Sequence, residues 1–152
     1  MADHIRKQIR DAAVAALTGL ASTGSNVFTG KISPLKQAEL PALLIFLNGD
    51  EGSDGAQNAG ATADHAGVLR VEGVAAANDD TIDLLDQIAA EVEVALFADA
   101  GFLALLLVPP DPPSTSIQID DPAGGSALRL GSVILGFPIQ FRTRLGEPSV
   151  IV

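Results

Sequence analysis

Few residues in this chain could do chemistry. Two histidines, His4 and His65, and no cysteine leave little for a nucleophile, a general base or a transition-metal ligand. Asp64 beside His65 would make an acid–base or metal pair only with further ligands at ligand spacing. None accompanies them, so His65 reads as a solvated loop residue. Asp50-x-Gly52-x-Asp54-Gly55 has the outline of a calcium loop, yet its third position is Gly and its twelfth is Ala61, where a bidentate Glu belongs. Gly30-Lys31 lacks the earlier glycine of a phosphate loop and is followed by Ile32 instead of Ser or Thr. Ser126 follows Gly124-Gly125, but Leu128 stands where a nucleophile elbow needs Gly. The sequence therefore assigns no catalytic, cofactor-binding or metal-binding residue, and the expectation is not an enzyme.

The elements that would position any site are better defined. Asp79 to Ala98 carries the clearest helical pattern, with Ile82, Leu84, Leu85, Ile88, Ala89, Val92, Ala95 and Leu96 in one arc and Asp83, Asp86, Gln87, Glu91 and Glu93 opposite. Asn78 or Asp79 can cap its start and Gly101 stops it. Residues 3–20 form a second amphipathic helix, with Asp3 as cap and Ile5, Ile9, Ala12, Ala13, Ala16, Leu17 and Leu20 on its apolar face. Ala42–Leu47 is an apolar run of strand length, and 68–74 and 114–120 alternate as strands do. In 133–143, Val133, Leu135, Phe137, Ile139 and Phe141 point one way, and Pro138 predicts an edge or a bulge. Residues 26–31 and 102–108 read as further short strands.

These patterns predict one α+β domain over residues 1–152, a mixed or antiparallel sheet of four to six strands with the two helices packed on one face. Residues 48–67 have no aliphatic side chain larger than Ala and predict a long flexible loop. Residues 145–152 predict a short apolar tail with no partner in its own chain.

Charge narrows the function classes. A formal net charge of −10 opposes tight binding to DNA or an anionic membrane, both of which need clustered Lys and Arg. Six Phe with no Trp or Tyr offer few platforms for base stacking. The N-terminus lacks the apolar run of a signal peptide, and 102–108 is far short of a membrane span. The expectation is a soluble, intracellularly made protein.

A resemblance adds to this reading. The run Ile5-Arg6-Lys7-Gln8-Ile9-Arg10-Asp11-Ala12, continuing through Ala15-Ala16-Leu17-Thr18-Gly19-Leu20, resembles the opening of phage tail terminator proteins, also called minor tail or tail completion proteins. Val27-Phe28, Ser33-Pro34-Leu35 and Ala38-Glu39-Leu40-Pro41-Ala42-Leu43-Leu44-Ile45 follow in the family's order. Then come the helix with Asp83, Asp86, Ile88-Ala89, Glu91-Val92-Glu93 and Ala95-Leu96, and the strand Gly136-Phe137-x-Ile139-x-Phe141-Arg142-Thr143. The chain departs from the pattern in its Ala/Gly-rich 48–67, in Phe141 where Tyr is common, and in Pro138.

The resemblance implies a small structural virion protein of a long-tailed phage or gene transfer agent. Such a protein forms a hexameric ring on the head-proximal end of the tail tube, stops tube polymerisation and provides the head–tail joining surface. Its implied partners are further copies of itself, the tail-tube protein and a head-completion or connector protein, with DNA passing through unbound. The implied location is the virion tail, after assembly in the host cytoplasm. A tail-tube or head-closure subunit is the alternative within structural proteins, and a small hydrolase the alternative from another class. Within this frame Asp50, Glu51, Asp54 and Asp64 are expected to face the tube or the lumen. Arg142 and Arg144 are expected to pair with Asp83 or Glu91 of a neighbouring subunit.

Overall fold

The computed structural model describes residues 2–31, 33–54, 62–119 and 129–152, the side chains of 50–54 excepted. In chain order the elements are α1 (Ile5–Leu17), β1 (Val27–Thr29), a 3-10 turn (Gln37–Glu39), β2 (Ala42–Asp54), β3 (Thr62–Ala76), α2 (Thr81–Ala98), α3 (Ala100–Leu103), β4 (Ser114–Ile119), β5 (Leu130–Arg144) and β6 (Glu147–Ile151). The fold is α+β. One mixed six-stranded sheet runs β1-β2-β3-β5-β4, with β6 also paired to β5. β1 lies parallel to β2 and the other pairings are antiparallel.

Strand alternation places Leu43 and Ile45 of β2, Leu69 and Val71 of β3, and Val133, Leu135, Phe137, Ile139 and Phe141 of β5 on one face. The helices cover that face. Ile5, Ile9, Ala13 and Leu17 of α1 and Leu85, Ile88, Ala89, Val92 and Leu96 of α2 join the strand residues in one buried cluster. The opposite face carries Leu44, Phe46, Arg70, Glu72 and Arg142, all half-buried.

Helix α1 starts one residue later than expected, because His4 is its cap: its Nδ1 accepts the Arg6 N–H at 3.2 Å. Asp3 instead accepts a bond from Lys7 Nζ at 3.0 Å. The start of α2 is pinned by Asn78 Oδ1, which accepts the Asp80 N–H at 2.9 Å, and by Thr81 Oγ1, which donates to Ala76 O at 3.2 Å. Ile82 does not join the core as its periodicity suggests; it is 56% exposed. It lies at the margin of the contact arc, on the side where the sheet ends.

Gly101 does not stop α2, and 102–108 is not a strand. The helix ends at Ala98, and Asp99 restarts the chain as α3 by accepting the Phe102 N–H at 2.7 Å. Gly101 lies inside that short helix, and Phe102 is fully buried. A continuous apolar run carries no period, so the local cap decides its form.

The loop expected over 48–67 is strand at both ends. β2 runs on to Asp54 and β3 begins at Thr62, with a bulge between Asn48 and Glu51. Residues 55–61 lie outside the described residues. The polar half of β3 is held because β5 pairs with it from Thr62↔Arg144 onward, so its backbone is bonded on both sides whatever its side chains. Gly49, with φ +73, turns the bulge, and Gly67 faces it so closely that an added Cβ would lie 2.6 Å from Gly49 O.

The C-terminal tail also has a partner. Gly146, at φ +79, turns the chain so that β6 folds back on β5, with Ile151 opposite Thr143. Gln8 of α1 donates to Ser149 O at 3.0 Å. Pro138 lies in β5 opposite Val68, and its carbonyl accepts the Asp111 N–H at 3.3 Å. A strand residue's N–H and C=O point the same way, so the missing donor falls between the stretches of β5 paired by β4 and by β6. Pro138 therefore occupies a local edge.

Candidate functional site

Asp64 and His65 do not form an acid–base pair. Neighbours on a strand point to opposite faces, and these two do. Asp64 shares the open face with Arg142, whose Nε and Nη2 donate to its two oxygens at 2.5 and 3.0 Å. The Arg142 hydrogen bonds hold the Asp64 carboxyl below its ordinary value. His65 lies on the helix side, where its ring stacks on Phe141 with centroids 4.9 Å apart and its Nε2 is 3.0 Å from Thr143 Oγ1. His4 is occupied in capping α1. Each group thus has a packing or pairing role.

Of the residues expected to face a lumen or tube, only Asp64 has a described side chain. Asp50, Glu51 and Asp54 belong to the far end of β2, and their side chains lie outside the described residues, as do Gly124, Gly125 and Ser126 entirely. Among the described residues, no group of three or more His, Asp or Glu could hold a metal ion, and no helix is long and apolar enough to cross a membrane.

Arg142 and Arg144 are both engaged within their own chain. Arg142 holds Asp64, and Arg144 Nη1 reaches Glu147 Oε2 at 3.3 Å across the β5–β6 turn. Asp83 is exposed in the first turn of α2. Glu91 accepts from Ser22 N–H at 3.0 Å, Ser22 Oγ at 2.8 Å and Gln87 Nε2 at 3.0 Å. Burial pushes the Glu91 carboxyl up, but the bonds from Ser22 and Gln87 together outweigh it and hold the group below its ordinary value. Sequence reasoning missed this tie, because Ser22 and Glu91 stand 69 residues apart and neither belongs to a motif.

What the arrangement offers is surface. On the open face, Lys31, Leu35, Leu44, Glu72, Val74 and Leu130 line a groove of about 280 Å³. Between the helices, Leu20, Ala90, Glu91, Val94 and Ala95 line a shallow apolar groove, with Val94 72% exposed. A third groove, of about 200 Å³, runs beside β4 and is lined by Asp79, Ile82, Ile119 and Arg129 among others.

No protein-family model matches this sequence, and no curated protein matches it significantly.

Proposed function

We propose that this chain is a tail terminator of a long-tailed phage or gene transfer agent, forming a ring on the head-proximal end of the tail tube. There it stops tube growth and provides the surface to which the head joins. The observation that carries this reading is where the resemblance motifs fall. They lie on α1, on β1 and the chain leading into β2, on α2 and on β5, and those elements supply most of the single core. A resemblance scattered over unrelated loops would carry much less.

Acidity fits the role. Six copies at −10 each carry −60 formal charges, and a channel through which DNA slides benefits from walls that repel phosphate. The far end of the β2–β3 arm, with Asp50, Glu51 and Asp54, is the segment assigned to the tube or the lumen. The proposed partners are the tail-tube protein on one ring face and a head-completion or connector protein on the other. An enzymatic role is not part of the reading.

Native mass at low and high salt, together with elongation of purified tube subunits in the presence of this protein, tests the proposal. The expected result is a closed ring, free or templated on tube ends, and tubes that stop growing once capped. An open-ended polymer of the protein itself would give the case to a tube subunit. Unchanged tube growth at saturating protein would overturn termination.

A further inference from the structure

Among the described residues β1 closes one side of the sheet, and β4 and β6 share the other, each pairing a different stretch of β5. Single-chain proteins blunt such edges with charge, proline or bulges, because a row of unpaired N–H and C=O groups invites another strand. β4, Ser-Thr-Ser-Ile-Gln-Ile, has none of these devices. Every residue in it is exposed, its pairing with β5 is regular, and among the described residues no strand covers its outer side. Ile117 and Ile119 point to the helix side, where Ile119 and the exposed Ile82 of α2 line one groove. An added strand would find both a ladder and three exposed isoleucines, Ile82, Ile117 and Ile119.

We propose that the strand seated on β4 is β1 of a second copy of this chain, so that the sheets of neighbouring subunits run on into one another. Charge selects this occupant. Asp79 lines the groove beside β4 together with Arg129, and Asp86 lies one helical turn on from Ile82. Joining β4 to β4 about a twofold axis would bring two such acidic margins together. β1 lies at the other edge, within the acid-free stretch 12–38, where the charged side chains are Lys31, held by Glu39 at 3.1 Å, and the exposed Lys36. In the joined sheet, Val27 continues the helix-side row of Ile117 and Ile119.

Joining opposite edges is heterologous, so it builds a ring or an open filament and never a closed pair. The inference rests on the ring reading of the previous section, to which it adds the contact between subunits.

The natural sequence has no cysteine, so introduced thiols report the contact directly. Thr29→Cys is combined in turn with Thr115→Cys, Ile117→Cys and Ile119→Cys, all exposed positions on the helix side of their strands, and each protein is oxidised. The expected result is a ladder of disulfide-linked oligomers from at least one pair, and monomers from each single variant. Ile117→Lys, with a far-ultraviolet spectrum and melting temperature like the parent's, should weaken self-association at least tenfold. Disulfide-linked dimers from a single β4 cysteine would overturn the proposal in favour of twofold pairing. A ring without the β1–β4 crosslink would overturn this contact and leave the terminator reading standing; a crosslinked ring that fails to cap tubes would do the reverse.

Discussion

Arg142 meets Asp64 fork to fork across neighbouring strands, a bidentate ion pair between residues 78 positions apart. It lies in the half of the β3–β5 ladder where β3 itself has little aliphatic surface to bury. Asp64 is held below the usual carboxylate range of about 4. Its pairing therefore stabilises the fold fully above that value, and the contribution is lost as pH falls through the lower folded-state value. Thermal melts of the parent and Asp64→Asn from pH 7 down to pH 2.5 check this. The parent should lose more melting temperature than the variant below pH 4, and parallel curves would show that the pair contributes nothing.

Ser22 and Glu91 tie the connection after α1 to the middle of α2. Ser22→Ala removes the hydroxyl bond and leaves the backbone N–H bond, so urea unfolding should show a loss of about 1 kcal/mol. Glu91→Ala, which strands both Ser22 donors, should cost more, about 1–3 kcal/mol. Asp83→Asn, on an exposed turn of the same helix, should stay within about 0.5 kcal/mol of the parent.

Two glycines mark close approaches of different kinds. At Gly73 an added Cβ would lie 2.8 Å from Ile88 Cγ2 of α2 and 3.0 Å from Val133 Cγ1, so Gly73→Ala must displace the Ile88 side chain between helix and sheet. At Gly67 the obstacle is backbone, Gly49 O at 2.6 Å, and Gly67→Ala must open the β2–β3 bulge. Both should destabilise by about 1–3 kcal/mol. Hydrogen exchange separates them: Gly67→Ala should expose amides of the β2–β3 arm while leaving α2 protected.

Phe102 is fully buried at the junction that ends the helical layer. Phe102→Ala should cost about 3–5 kcal/mol in denaturant unfolding. Val94→Ala, on the outer side of α2, should cost less than about 0.5 kcal/mol.

The helices and β5 were legible because a long period of 3.6 or 2 repeats a burial decision many times, and the packed face of α2 followed it except at Ile82. The arm made by the ends of β2 and β3 was not. There β3 is held by ladder bonds from β2 on one side and β5 on the other, and by Asp64–Arg142, and neither leaves a hydrophobic period in 48–67. The 102–108 run failed for the opposite reason, since it is apolar throughout and Asp99 decided its form. Of the candidate site, the sequence offered only His4, His65 and the acidic and basic groups around them, and the structure places His4 at the cap of α1 and His65 on Phe141. The sequence did not reveal the Ser22–Glu91 tie or the bare edge of β4, which exist only once distant segments meet.

The β3–β5 ladder joins Ala76 to Leu130 and Thr62 to Arg144, with α2, α3 and β4 lying between the two strands in the chain. On a ribosome, β3 is therefore made long before the strand that will cover its open side. At about 5–20 residues per second, the interval between completing β3 and completing β5 is about 3–14 s. Throughout it the β2–β3 hairpin presents an uncovered edge. Ala, Gly and acidic residues are a poor template for aggregation, so the composition that hides the arm from periodicity analysis also makes the arm the least adhesive part of that waiting edge.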